Sequence, residues 1–136
     1  MRGSVLADTG PLYAALDRDD TWHRRAQADI ERLNAAGLDV VVLYSTLLEA
    51  YSLALYKLGQ RMARRWLVDI TDHARLLNPA PEDYQAARER LLAYTDQPLS
   101  LVDAVLAVVS SRLELPVWTF DHHFDVLRAE VWHGAS

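Results

Sequence analysis

The spacing of apolar and polar positions along this chain alternates between short runs suited to buried strands and longer stretches with helical periodicity. Ser4 to Ala7 is an apolar run that stops at Asp8, and Pro11, near the first helical position, opens a helix through Leu16. From Thr21 and Trp22 to Ala36, apolar residues at Ala26, Ile30 and Leu33 recur at helical spacing, and Gly37 supplies a stop. The valine-rich stretch Leu38 to Leu43, which carries the single acid Asp39, predicts a second buried strand. Ser45 is placed to cap a helix bearing Leu48, Tyr51, Leu55 and Leu58, which Gly59 ends.

Gln60 to Thr71 predicts the next helix, and Arg75 to Leu77 a short strand before Pro79 and Pro81. Glu82 to Tyr94 is helical by composition and spacing. Ser100 opens a helix through Leu113 that is apolar all round and therefore belongs against the centre of the sheet. Val117 to Phe120 predicts another strand, a short helix follows from about His122, and Glu130 to His133 predicts a last edge strand. Strands alternating with helices favour an α/β fold, a three-layer α/β/α sandwich around a central, mainly parallel sheet.

Composition narrows this picture. The 136 residues, 51% of them hydrophobic, suffice for one core and are too few for two, so residues 1–136 are expected to form a single domain. The lack of cysteine removes disulfide scaffolds, thiolate zinc sites and cysteine nucleophiles, and fits a reducing cytoplasm. The longest uncharged stretch, Val40 to Leu48, falls far short of the roughly 20 residues a membrane helix needs. A soluble, unexported protein is expected. The net charge of −5 argues against a non-specific nucleic-acid binder, yet 13 of the 14 basic residues are arginine, whose planar fork suits phosphate.

Four acids, Asp8, Glu49, Asp103 and Asp121, each stand where an apolar segment ends or a helix begins. In a parallel α/β sheet, side chains at such positions collect beyond the carboxyl ends of the strands. Carboxylates gathered there repel one another unless a cation holds them, and Mg²⁺ or Mn²⁺ is the hard, oxygen-seeking choice. Each acid also has a purely local reading: Asp8 and Asp121 as caps, Glu49 in a first helical turn, and Ser100-Leu-Val-Asp103 as a capping box.

Taken together, Asp8-Thr9-Gly10, Glu49, Leu99-Ser-Leu-Val-Asp103-Ala104 and Thr119-Phe-Asp121-His-His-Phe124 resemble, in order and spacing, the motifs of PIN-domain ribonucleases, especially VapC-type toxins of VapBC toxin-antitoxin pairs. The resemblance runs from the first strand to about Leu127. It implies a PIN-like fold and a metal-dependent endoribonuclease with Asp8, Glu49, Asp103 and Asp121 as its catalytic, metal-binding acids. Asp8 and Asp103 would anchor the principal Mg²⁺ or Mn²⁺, with Glu49 and Asp121 acting through waters or at a second site. Thr9 and Thr119 would be hydroxyl supports, Asp96 in Tyr94-Thr-Asp-Gln-Pro-Leu-Ser matches a further segment seen in part of the family, and Asp125 would add an outer carboxylate. The resemblance also implies an RNA substrate, a small VapB-like antitoxin and a homodimer. Gly10 and the Leu127-Arg-Ala step depart from the family pattern.

Other features carry two readings. Arg61, Arg64 and Arg65 share one side of a helix, first as a solvated face and otherwise as a grip on substrate phosphates or a partner's acids. His122 and His123 lack a further histidine at ligand spacing and are expected to be exposed or to flank substrate. Trp22, Tyr51, Tyr56 and Trp66 fit core or interface packing, or base stacking. Two enzyme or signalling alternatives lack a needed residue: a dehalogenase-like phosphatase would want an acid at Gly10, and a receiver domain a strand lysine where the only lysine, Lys57, is helical. A non-catalytic PIN-like module that binds RNA or protein remains the main rival reading.

Overall fold

The computed structural model describes residues 3–121 and 123–134, apart from the side chain of Val126. Four strands, β1 (Ser4–Ala7), β2 (Asp39–Leu43), β3 (Arg75–Leu77) and β4 (Val117–Trp118), form one sheet in the order β3-β2-β1-β4. All neighbours run parallel, with Leu6 opposite Val41 on one side and Val117 on the other. Helices α1 (Thr9–Leu16), α2 (His23–Ala35), α3 (Tyr44–Leu58), α4 (Gln60–His73), α5 (Pro81–Ala93), α6 (Leu101–Leu113) and α7 (His123–Val126) supply the connections and the covering layers.

Strand alternation divides the core in two. Leu6, Val41 and Leu43 face the apolar α6, where Val105, Leu106 and Val109 are buried with Phe124 and Leu127. Val5, Ala7 and Val42 face the other way, onto Leu12, Leu33, Leu47 and Trp66. This is the expected three-layer α/β/α sandwich, with a sheet that is parallel throughout among the described residues. Among those residues no helix is long and apolar enough to cross a membrane. Gly59, at φ 89°, joins α3 directly to α4 through a backbone region that side chains other than glycine rarely enter.

Several boundaries differ from expectation, each for a local reason. Helix α1 starts at Thr9 because Asp8 takes the cap, leaving Pro11 in the first turn, where its missing N–H costs nothing. Helix α3 starts at Tyr44, so Ser45 lies inside it and its buried hydroxyl finds no hydrogen-bond partner among the described residues. Strand β4 ends at Trp118 rather than Phe120, because Thr119 turns its hydroxyl to two acids. The expected strand Glu130 to His133 is reduced to one bridge, Val117 to Val131, held by Val117 N to Glu130 O at 2.8 Å and Trp132 N to Val117 O at 2.8 Å. The expected start of the last helix at His122 lies outside the described residues, and α7 begins at His123.

Candidate functional site

In this sheet β1 is central: the chain crosses to β2 on one side and returns at β4 on the other. That reversal opens a crevice beyond the carboxyl ends of β1 and β4, the place where parallel α/β sheets gather ligands. Asp8 is the first residue after β1 and, although charged in type, is only 5% exposed. One of its oxygens accepts the Thr9 N–H at 2.8 Å, capping α1, and the other accepts the Thr119 hydroxyl at 2.8 Å. Thr119 Oγ1 in turn accepts the Asp121 N–H at 2.9 Å, and Asp121 Oδ1 accepts that of His123 at 2.9 Å. A relay from β4 therefore orients acids at both sides of the crevice.

The remaining two acids arrive on helices. The Thr9 hydroxyl donates to Glu49 Oε1 at 2.6 Å, tying the first turn of α1 to α3. Asp103 stands in the first turn of α6, where its N–H donates to Ser100 Oγ at 3.0 Å. The capping reading of Ser100-Leu-Val-Asp103 thus describes the backbone correctly, and it leaves the carboxylate facing the crevice with Asp8, Glu49 and Asp121.

Electrostatics record the crowding. Burial pushes the Asp8 carboxyl up to about 7, with the charges of Asp103 and Asp121 adding to the rise against the opposing pull of the Thr119 hydroxyl and Thr9 N–H. Asp103 is also raised, first by burial and then by Asp121 and Glu49, while the Ser100 hydroxyl opposes the shift. A cation would relieve both. Asp103, Asp121 and His123 offer ligand atoms that all lie within 4.8 Å of one another. The carboxylates of this set suit Mg²⁺ or Mn²⁺.

The crevice has a volume of about 480 Å³. Beyond the four acids it is bordered by Gly10, Tyr13 and Asp20, by Trp22 and Phe120, and by Leu53 and Lys57. Lys57 is the only basic side chain among the described residues lining it, and its ammonium lies 5.3 Å from the centre of the Tyr13 ring. A larger cavity of about 660 Å³, between α1, α2, α4 and the sheet, is lined mainly by apolar side chains such as Leu12, Ile30 and Trp66, with Asp39 and Asp69 as its acids.

The remaining candidates lie as follows. Asp96, between α5 and α6, and Asp125, on α7, are exposed and do not line the crevice. Arg61, Arg64 and Arg65 lie exposed on α4 and do not line it either, which leaves the solvated-face reading. His123 is half-buried, with Nδ1 3.2 Å from Asp121 Oδ1, rather than exposed, whereas His122 lies outside the described residues. The spacing Asp121-x-His123 was the available signal: an aspartate side chain readily accepts the backbone N–H two residues on, which brings His123 beside it.

The family model of the PIN domain matches residues 5–130, and the chain belongs to that family. Solved structures with the same fold include VapC20 of Mycobacterium tuberculosis, a sarcin-ricin loop cleaving toxin, with TM-score 0.78 and 21% identity over 92% of this chain and 95% of that one. VapBC2 of Rickettsia felis, bound to a DNA fragment from its promoter, has TM-score 0.74 and 10% identity over 94% and 96% of the two chains. FitAcB of Neisseria gonorrhoeae has TM-score 0.66 and 16% identity over 95% and 96%. Among curated proteins none matches the chain in sequence.

Proposed function

We propose that this PIN-domain protein is a metal-dependent endoribonuclease, the toxin of a type II toxin-antitoxin pair, acting in the cytoplasm as a single PIN-like domain. The observation that carries the reading is the convergence of Asp8, Glu49, Asp103 and Asp121, from four separate segments, on one crevice at the sheet reversal. Membership of the PIN family and the fold likeness to a toxin that cleaves the sarcin-ricin loop support it. The fold likeness to VapBC2 and FitAcB supports a small VapB-like antitoxin as partner, and a homodimer is part of the same reading.

In the proposed reaction a water oxygen joins the phosphorus, the ester P–O bond breaks, and a proton ends on the departing oxygen. Bound Mg²⁺ or Mn²⁺ supplies an activated water and neutralises phosphoryl charge. Asp8, Asp103 and Asp121 would hold it, with Glu49 acting directly or through water and His123 as an added donor. Thr119 fixes Asp8 and the turn at Asp121, and Thr9 fixes Glu49, so each carboxylate is oriented before substrate arrives. None of these groups needs a 2′-hydroxyl, so the assignment of RNA over DNA rests on the family.

The test is cleavage of a total-RNA pool in Mg²⁺ or Mn²⁺, with metal binding followed by calorimetry on the wild type and Asp103→Asn. Metal-dependent cutting that is lost with EDTA and in the variant is expected. RNA binding that is indifferent to EDTA, with no cutting, would instead make the protein a binding module.

A further inference from the structure

The crevice pairs its acids with an aromatic wall that the chemistry of hydrolysis does not use. Trp22, just ahead of α2, stacks on Phe120 with ring centroids 5.4 Å apart and an interplanar angle of 28°. Phe120 sits between Thr119 and Asp121, so this stack abuts the residues that hold and supply the acids. The Arg25 guanidinium lies 4.8 Å from the centre of the Phe120 ring and 5.6 Å from that of Trp22. Its Nε is also 4.0 Å from buried Asp29, which accepts Trp118 Nε1 at 3.0 Å and thereby links α2 to β4.

A stack that served only to close the core would bury Trp22. Trp22 is instead 47% exposed where it borders the crevice. Its backbone N–H donates to Asp20 Oδ1 at 2.9 Å and its ring rests on Phe120, so less freedom remains to be lost on binding than for an isolated surface side chain. The crevice is acidic, only Lys57 among its described lining residues is basic, and the chain carries −5 overall. In the metal-free crevice attraction to phosphates is therefore poor, and contacts that do not depend on charge carry more of any affinity for a nucleic acid. Aromatic faces provide such contacts, and every nucleobase has a face to offer.

We infer that Trp22, backed by Phe120 and Arg25, is a stacking subsite for an unpaired nucleobase next to the scissile phosphate. The inference rests on the nuclease reading of the acids, but its binding part can be measured separately. A base within a duplex is covered on both faces and cannot use the subsite without leaving the stack. Trp22 would position substrate, and the acids would retain the chemistry.

The experiment has two arms. In EDTA, a short single-stranded oligoribonucleotide is titrated into wild type, Trp22→Phe and Trp22→Ala, beside the same sugar–phosphate chain lacking bases, with tryptophan fluorescence and anisotropy as readouts. Wild type is expected to be quenched by the base-bearing strand alone, and Trp22→Ala to bind it about 5- to 150-fold more weakly, with Trp22→Phe between them. In Mg²⁺, removing the base beside the cleaved bond is expected to lower wild-type kcat/KM by a similar factor and to have little further effect in Trp22→Ala. Equal binding of both strands by wild type, an unaffected Trp22→Ala, or two losses that simply multiply would overturn the subsite. Base-dependent quenching without any metal-dependent cutting would retain stacking and remove the nuclease reading. Thermal melts of all variants separate unfolding from lost stacking.

Discussion

Replacing Asp8 with Asn is expected to stabilise the metal-free protein while destroying its proposed metal site. The carboxyl rises from 3.8 to about 7, chiefly through burial and then through its acidic neighbours. Because the folded carboxyl binds its proton more tightly than the unfolded one, this group's contribution to stability is full below pH 3.8, declines as the pH rises, and is lost by about pH 7. At about pH 8 the ionised carboxylate costs the fold about 4 kcal/mol relative to a neutral isostere. Asn caps a helix as well as Asp, so the bond from Thr9 N–H survives. The amide cannot accept the Thr119 hydroxyl proton where Oδ2 now does, which takes back about 1 kcal/mol. A net gain of about 2–3 kcal/mol remains, worth about 6–12 °C in Tm for a chain of this length.

The assay is a pair of melts, wild type and Asp8→Asn, from about pH 4 to pH 8 in EDTA and again in Mg²⁺. In EDTA the variant leads at pH 8, and its lead closes towards about pH 5 as the wild-type carboxyl takes up its proton. In Mg²⁺ at about 1,000 times Kd the order reverses, since the ion then stabilises the wild type by about 4.1 kcal/mol, more than the variant's lead, and the variant lacks the site. A wild type that is the more stable protein at pH 8 without metal, or a lead that does not vary with pH, would refute the reasoning and return Asp8 to the role of a helix cap.

Thr119→Val removes the donor to Asp8 and the acceptor for Asp121 N–H, and is expected to lower metal-dependent cleavage about 10- to 100-fold while Thr119→Ser retains most of it. Arg112→Met breaks the two-point contact to buried Asp83 that joins α5 to α6, at 2.7 and 2.6 Å, and is expected to cost about 2–3 kcal/mol in urea unfolding with activity per folded molecule unchanged. Since Arg112 holds the Asp83 carboxyl below its usual range, that stability is present above the unfolded value and disappears as pH falls through the lowered one, so the difference between the two proteins shrinks in acid.

Much of this architecture could be read from local chemistry. The apolar run before Asp8, the valine-rich β2 and the glycines after α2 and α3 each act through their immediate neighbours, and their elements stand where expected to within a few residues. The acids were legible for the same reason: a residue that ends a parallel strand or opens the next helix has one sheet edge available. What escaped depends on contacts between distant segments. Nothing near Thr119 announces that its hydroxyl would leave the strand for Asp8, 111 positions away. Trp22 and Phe120 meet only because α2 packs beside the end of β4, and the pairing of Val117 with Val131 is too short to impose a period on the sequence.

The bond between Thr119 and Asp8 also sets a timetable. A chain emerging from a ribosome at about 5–20 residues per second presents Asp8 roughly 5–20 s before Thr119 is made. Until then β1 has no β4 beside it, Asp8 lacks its second hydrogen bond and Asp121 does not exist. A chain that stops short of this point lacks that bond and the fourth acid alike. On the proposed reading, the cutting site is complete only once the last of the four acids has been built.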